Sequence, residues 1–303
     1  MHGQQTFLWT EALGCGEILG PCLDSYVTHH DLPIHVYIYE EDLSFLPVHP
    51  LIIPRLVRSK IESDGVNKEL LQEAYKSGHR GTATLWASLI KNRPEKFMIH
   101  LDSDSIFLGD VVKPIIERLN AGNGVVGTRR PYRNRQNKKM NYFSMMHYFQ
   151  PDAVNTHCFG FNRTLIEIKQ ELLIGLIEDR LKNRFIQRLY PVIDFFDRIT
   201  FYLRRKGGIY YLDSPIQSRS GSHDRNGPIE SSMISFAAVG SGCAYYKNPA
   251  SATSESYKDF AISSYALYSA YLLGKKIDYP MLDSPFLVNQ LNSLNKLTWK
   301  PTN

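Results

Sequence analysis

Residues 97–112 read FMIHLDSDSIFLGDVV. The first five are apolar except for His100, the length and composition of a strand covered on both faces. The pattern then breaks at Asp102-Ser103-Asp104 and becomes apolar again at Ile106-Phe107-Leu108. The chain holds sixteen aspartates, enough for a D-x-D pair to arise by chance, so its position has to give it meaning. Two carboxylates at the exit of a buried strand repel each other unless a cation lies between them. Hard divalent ions such as Mg²⁺ and Mn²⁺ suit this oxygen donor set and commonly share it with a substrate phosphate.

On either side, apolar runs alternate with helical patterns. TFLWTEAL (6–13), IHVYIYEED (34–42) and GVVGT (124–128) read as strands, and helices are expected over 81–91 and near 112–119. Strand and helix in alternation predict an α/β fold, a mostly parallel central sheet flanked by helices. Ligands of such sheets bind beyond the carboxyl ends of the strands, where residues 40–42 and 102–104 fall.

The second half is less regular. A long helical segment is expected over 163–185, followed by DFFDRITFYLRRKGG (194–208), whose closing glycines read as a helix stop. A strand IYYLD (209–213), a polar loop SRSGSHDRNGP (218–228) and an aromatic helix over 256–276 complete the chain.

At 303 residues and 43% hydrophobic, the chain suits one domain over 1–303, with a ligand-binding half to about residue 150 and a second half after it. No run approaches eighteen apolar residues and the start lacks a secretory pattern, so a cytoplasmic protein with no transmembrane segment is expected. Four scattered cysteines fit reduced, buried thiols better than a disulfide framework or zinc site. The net charge of +5 is mild, though RRPYRNRQNKK (129–139) concentrates six basic residues, as a phosphate-attracting loop or a merely solvated one.

The stretch GHRGTATLWASLIKNRPEKFMIHLDSDSIFLGDVV (78–112) resembles the GT-A fold glycosyltransferases, the DxD-containing nucleotide-diphospho-sugar transferases. The similarity extends more loosely from LWTEAL (8–13) to HCFGFNR (157–163), about half the chain. It implies transfer of a sugar from a nucleotide-diphosphate donor to the hydroxyl of a glycan, lipid-linked or protein acceptor, with Mn²⁺ or Mg²⁺ as cofactor. Asp104 would hold the metal directly, Asp102 the metal or the donor ribose, and Ser103 would join them in the donor site. Thr10, Ala12 and Glu40 take positions that cradle the nucleoside in this family. Arg80 would reach the base or the phosphates, or is simply an exposed helix start. The third metal ligand would be His223 in the late loop, with its neighbour Asp224 as the substitute. For a catalytic base, Asp194 and Asp197 at the head of the glycine-terminated helix fit, and so does a capping role there. The usual Glu-Asp pair is missing, which leaves inverting and retaining chemistry both open. In HCFGFNR the glycine either lets backbone approach an acceptor sugar or belongs to a plain core strand.

Two other classes compete. A haloacid-dehalogenase-type phosphatase would use Asp102 and Asp104 as nucleophile and acid/base, but its aspartate strand opens the chain, whereas about a hundred residues come before this one. A non-enzymatic anion- or nucleic-acid-binding protein would work through 129–139, but leaves the strand-end aspartates without a purpose, so no nucleic-acid partner is expected.

Overall fold

The computed structural model of the chain describes residues 5–13, 16, 19–57, 80–129, 154–166, 197–212, 217–218 and 232–235. Strands β1 (Thr6–Glu11), β2 (Ile34–Ile38), β3 (Ile52–Leu56), β4 (Phe97–Leu101), β6 (Val125–Arg129), β7 (Val154–Asn162) and β8 (Ile209–Tyr211) form a seven-stranded sheet in the order β3-β2-β1-β4-β7-β6-β8. The short strands β5 (Ser105–Phe107), β9 (Gln217–Ser218) and β10 (Met233–Ser235) form a second sheet in the order β5-β10-β9. Helices α1 (Leu19–His29), α2 (Arg80–Asn92), α3 (Val112–Asn120) and α4 (Asp197–Gly207) lie between them in the chain. The α/β class and the mostly parallel sheet are as the sequence predicts, with one difference: β7 runs antiparallel to both its neighbours, β4 and β6. The basic stretch 130–139, most of 163–185, the loop 219–228 and the segment 256–276 lie outside the described residues.

Two compact units are distinguished, one drawn from Met1–Trp9, Val57–Leu101 and Val112–Asp213, the other from Thr10–Leu56, Asp102–Val111 and Ser214–Asn303. The chain passes between the units five times, once within β1, after Trp9, and once at the end of β4, after Leu101.

In the first unit, β1 pairs parallel with β4, and β4 antiparallel with β7, in a register that aligns Trp9 with His100 and His100 with Phe159. Alternation along each strand therefore gathers these three on one face. Trp86 of α2 completes the cluster, edge-on to Trp9 at 5.5 Å and 4.3 Å from the His100 ring. All four side chains are buried, and each aromatic contact of this kind adds about 0.5–1.5 kcal/mol beyond area burial.

On α3 the buried residues are Val112, Ile115, Ile116 and Leu119, the i, i+3, i+4, i+7 stripe of a helix with one apolar face. Gly160 of β7 receives that stripe: a Cβ there would collide with Ile115 and stand 3.1 Å from both Ile99 and Leu119. The glycine of HCFGFNR thus lets a helix lie close on the sheet. Helix α4 stops at Gly208, which adopts a positive φ of 76° and donates its N–H to the Arg204 carbonyl at 3.1 Å. Asn162 accepts the Thr164 N–H and hydroxyl and so caps the turn Arg163–Leu165.

In the second unit, Ala12 donates its N–H to the Tyr37 carbonyl, joining the end of β1 to the end of β2, and β2 pairs parallel with β3. A 3-10 turn, Glu40–Phe45, follows β2. Helix α1, which the sequence reading missed, is fastened to β5. Ser25 Oγ accepts the Phe107 N–H at 3.0 Å and donates to the Cys22 carbonyl, while Phe107 meets Tyr26 and His30 edge-on.

Candidate metal and donor site

Asp102-Ser103-Asp104 is the turn by which the chain leaves β4, in the large sheet, and enters β5, in the small one. Ser103 and Asp104 are buried there, and Asp102 is half-buried. The Cys22 thiol lies 3.8 Å from the Asp102 carbonyl oxygen as a weak donor. Burial, offset in part by a backbone hydrogen bond to Ser105 and reinforced by Asp104 and Asp102, pushes that thiol far above the ordinary cysteine range, so it keeps its proton.

The register of β4 and β7 brings a third group. The last pair in this ladder is Leu101 with Cys158. Asp102 follows the end of β4 by one residue, and His157 lies in β7 next to Cys158. Asp102, Asp104 and His157 each offer one ligand atom, and these atoms lie within 4.8 Å of one another. An ion with bonds of about 2.1 Å in octahedral geometry spaces its ligand atoms about 3 to 4 Å apart, so the three could close on one ion with small side-chain shifts. The donors are two carboxylates and an imidazole, a set that suits a divalent cation and relieves the repulsion of the two acids.

His157 is the histidine found with Asp102 and Asp104; His223, the ligand expected from the sequence, lies outside the described residues, as does Asp194. Sequence reasoning missed His157 because it reads as the first residue of an apolar strand; only the antiparallel register sets it beside Asp102. Asp197 is the first residue of α4, and Arg80 the first of α2. Thr10 and Ala12 are wholly buried, and the Thr10 hydroxyl meets no partner among the described residues. Glu40 is exposed at the head of the 3-10 turn, three residues beyond the Tyr37 that Ala12 reaches. The ends of β1 and β2 are thus side by side, while Arg80 and Asp197 stand on separate elements. Among the described residues, no helix is long and apolar enough to cross a membrane.

No protein-family model and no curated protein matches the sequence. Among solved structures, the chain is similar to the galactosyltransferase LgtC in complex with donor and acceptor sugar analogues, at 12% identity over 84% of this chain and 95% of that one, with a TM-score of 0.47. It is also similar to the apo form of mouse xyloside xylosyltransferase 1, at 13% identity over 69% of this chain and 85% of that one, with a TM-score of 0.42. A third similarity is to the apo bifunctional glycosyltransferase WbbM, at 11% identity over 77% of this chain but only 45% of that one, with a TM-score of 0.42.

Proposed function

We propose that the chain is a metal-dependent glycosyltransferase that moves a sugar from a nucleotide-diphosphate donor to the hydroxyl of a glycan, lipid-linked or protein acceptor. The observation that carries the reading is the convergence of Asp102, Asp104 and His157 at the carboxyl end of β4. That end of the strands is where α/β sheets bind ligands, and two neighbouring carboxylates repel each other unless a cation lies between them. The mixed oxygen and nitrogen set favours Mn²⁺ over Mg²⁺ as the resident ion. When bound, such an ion supplies positive charge to the diphosphate and so stabilises it as a leaving group.

The chain's own residues supply the rest of this scheme. Asp104, buried at the turn, holds the cation side of the site, and half-buried Asp102 is shared between cation and donor ribose, with Ser103 between them. Thr10, Ala12 and Glu40 border the nucleoside where β1 and β2 end, and Arg80 at the head of α2 neutralises donor charge. Asp197, the first residue of α4, takes the proton of the acceptor hydroxyl in an inverting reaction; in a retaining one it has no such task. His223 and Asp194 remain alternatives for the ligand and base, and the whole chain serves as one domain divided near residue 150. Thermal-shift screening of nucleotide sugars with and without Mn²⁺ tests this reading, because a ligand that binds only the native state raises the melting temperature. A shift that needs both supports it, and no shift with any donor rejects it.

A further inference from the structure

His30 lies just past the end of α1, with its side chain only 1% exposed. Its Nδ1 lies 2.9 Å from the Tyr26 carbonyl oxygen, an acceptor only, so this nitrogen carries the proton and donates it. Its Nε2 accepts the Val111 N–H at 3.2 Å, which requires that nitrogen to be bare. The ring is stacked on Tyr26 at 4.4 Å and meets Phe107 edge-on at 5.2 Å. Both ring nitrogens are thus committed to backbone groups, and that pattern admits only the neutral ring with its proton on Nδ1.

A second acceptor is within reach. Asp110 Oδ1 stands 3.7 Å from the same Nε2. A proton gained at Nε2 would point at the Val111 N–H, donor against donor, and at the same time draw the ring toward the Asp110 carboxylate. The two states therefore use different anchors on one loop: the Val111 backbone when neutral, the Asp110 side chain when charged. That loop begins at β5, directly after Asp104, and is also held by Ser25 on the Phe107 N–H and by the Ser232 carbonyl on the N–H groups of Leu108 and Gly109.

We propose that His30 is a positioning residue for the 105–111 segment, a proton-operated latch that holds it by the Val111 N–H when neutral and gives up that hold for the Asp110 carboxylate in acid. The titratable and charged groups around the ring are Tyr26 and His29 on α1, Asp31 just after it, and Asp110 on the loop; Phe107 of β5 contributes none. Burial lowers the His30 pKa below the ordinary 6.5; the Tyr26 carbonyl bond, Asp110 and Asp31 oppose this, and His29 adds to it. A folded-state value below the unfolded one means that the unfolded chain binds the proton first. The latch's stabilisation is therefore complete above the ordinary imidazole range and is lost as pH falls through it.

This inference does not depend on sugar transfer, and its test needs neither metal nor donor. The full-length wild type and His30→Gln are compared by thermal unfolding between about pH 7.5 and about pH 5.5, the range in which an unperturbed histidine titrates. A glutamine amide can donate to Tyr26 and accept from Val111 but takes up no proton. The wild-type melting temperature should fall by roughly 1 to 2 °C more than that of the variant, the shift that about 1 kcal/mol produces in a chain of this size. The hydrogen-exchange protection of the Val111 amide should drop in acid in the wild type alone. Equal pH profiles for the two proteins would overturn the proposal. If His30→Gln does not fold, nitrogen NMR of ¹⁵N-histidine-labelled wild type decides: a ring protonated on Nδ1 and titrating below the ordinary range supports the latch, and a ring protonated on Nε2 or titrating normally refutes it.

Discussion

Asp102 and His157 each lie one residue beyond the last register pair of β4 and β7, Leu101 with Cys158. Asp102, Asp104 and His157 each offer one ligand atom, and these atoms lie within 4.8 Å of one another. The predictions start from this arrangement.

Asp104→Asn should eliminate cation-dependent donor binding and turnover while leaving the fold nearly intact. Asparagine has the size of aspartate, so no cavity opens. Titration calorimetry with Mn²⁺ reads the first effect and circular dichroism the second. Full turnover in the variant, still dependent on metal, would contradict the assignment.

His157→Ala should weaken Mn²⁺ binding without abolishing it, by roughly ten- to a hundredfold, because two carboxylates remain. His223→Ala should be the milder change if His157 is the third ligand. The reverse order in a Mn²⁺ titration would return the ligand role to the late loop.

Gly160→Ala should destabilise the chain by about 1–3 kcal/mol, since the new methyl meets Ile115, Ile99 and Leu119 in a packed interior. The measurement is the midpoint of urea unfolding. A neutral result would mean that α3 stands further from β7 than described.

Cys22 and Cys158 should resist alkylation in the native protein at mildly alkaline pH. Both are buried and free; burial raises Cys158 to about 12, and Cys22 is raised further still. Peptide mapping after iodoacetamide, native against denatured, reads each thiol separately. Rapid native labelling of either would show that its surroundings open readily.

Much of the first half was legible in the sequence because its signals are local. An apolar run of strand length marked β4, the 3.6-residue stripe marked α3, and Gly207-Gly208 marked the end of α4. Helix α1 was missed because LGPCLDSYVTH carries glycine and proline in its first turn and no strong helix-start signal. The antiparallel direction of β7 is a non-local property that no residue in HCFGFNR announces, and His157 depends on it. The aspartates could be found because strand exit and carboxylate adjoin in sequence; their histidine partner could not, since 53 positions separate it from Asp104.

The most direct measurement is calorimetric titration of a panel of nucleoside diphosphates into the full chain, with and without Mn²⁺, repeated with Asp104→Asn. At least one diphosphate should bind the wild type only when Mn²⁺ is present and fail to bind the variant under either condition. Binding of equal strength with and without the ion, unchanged by the substitution, would contradict a metal-held diphosphate at Asp102, Asp104 and His157.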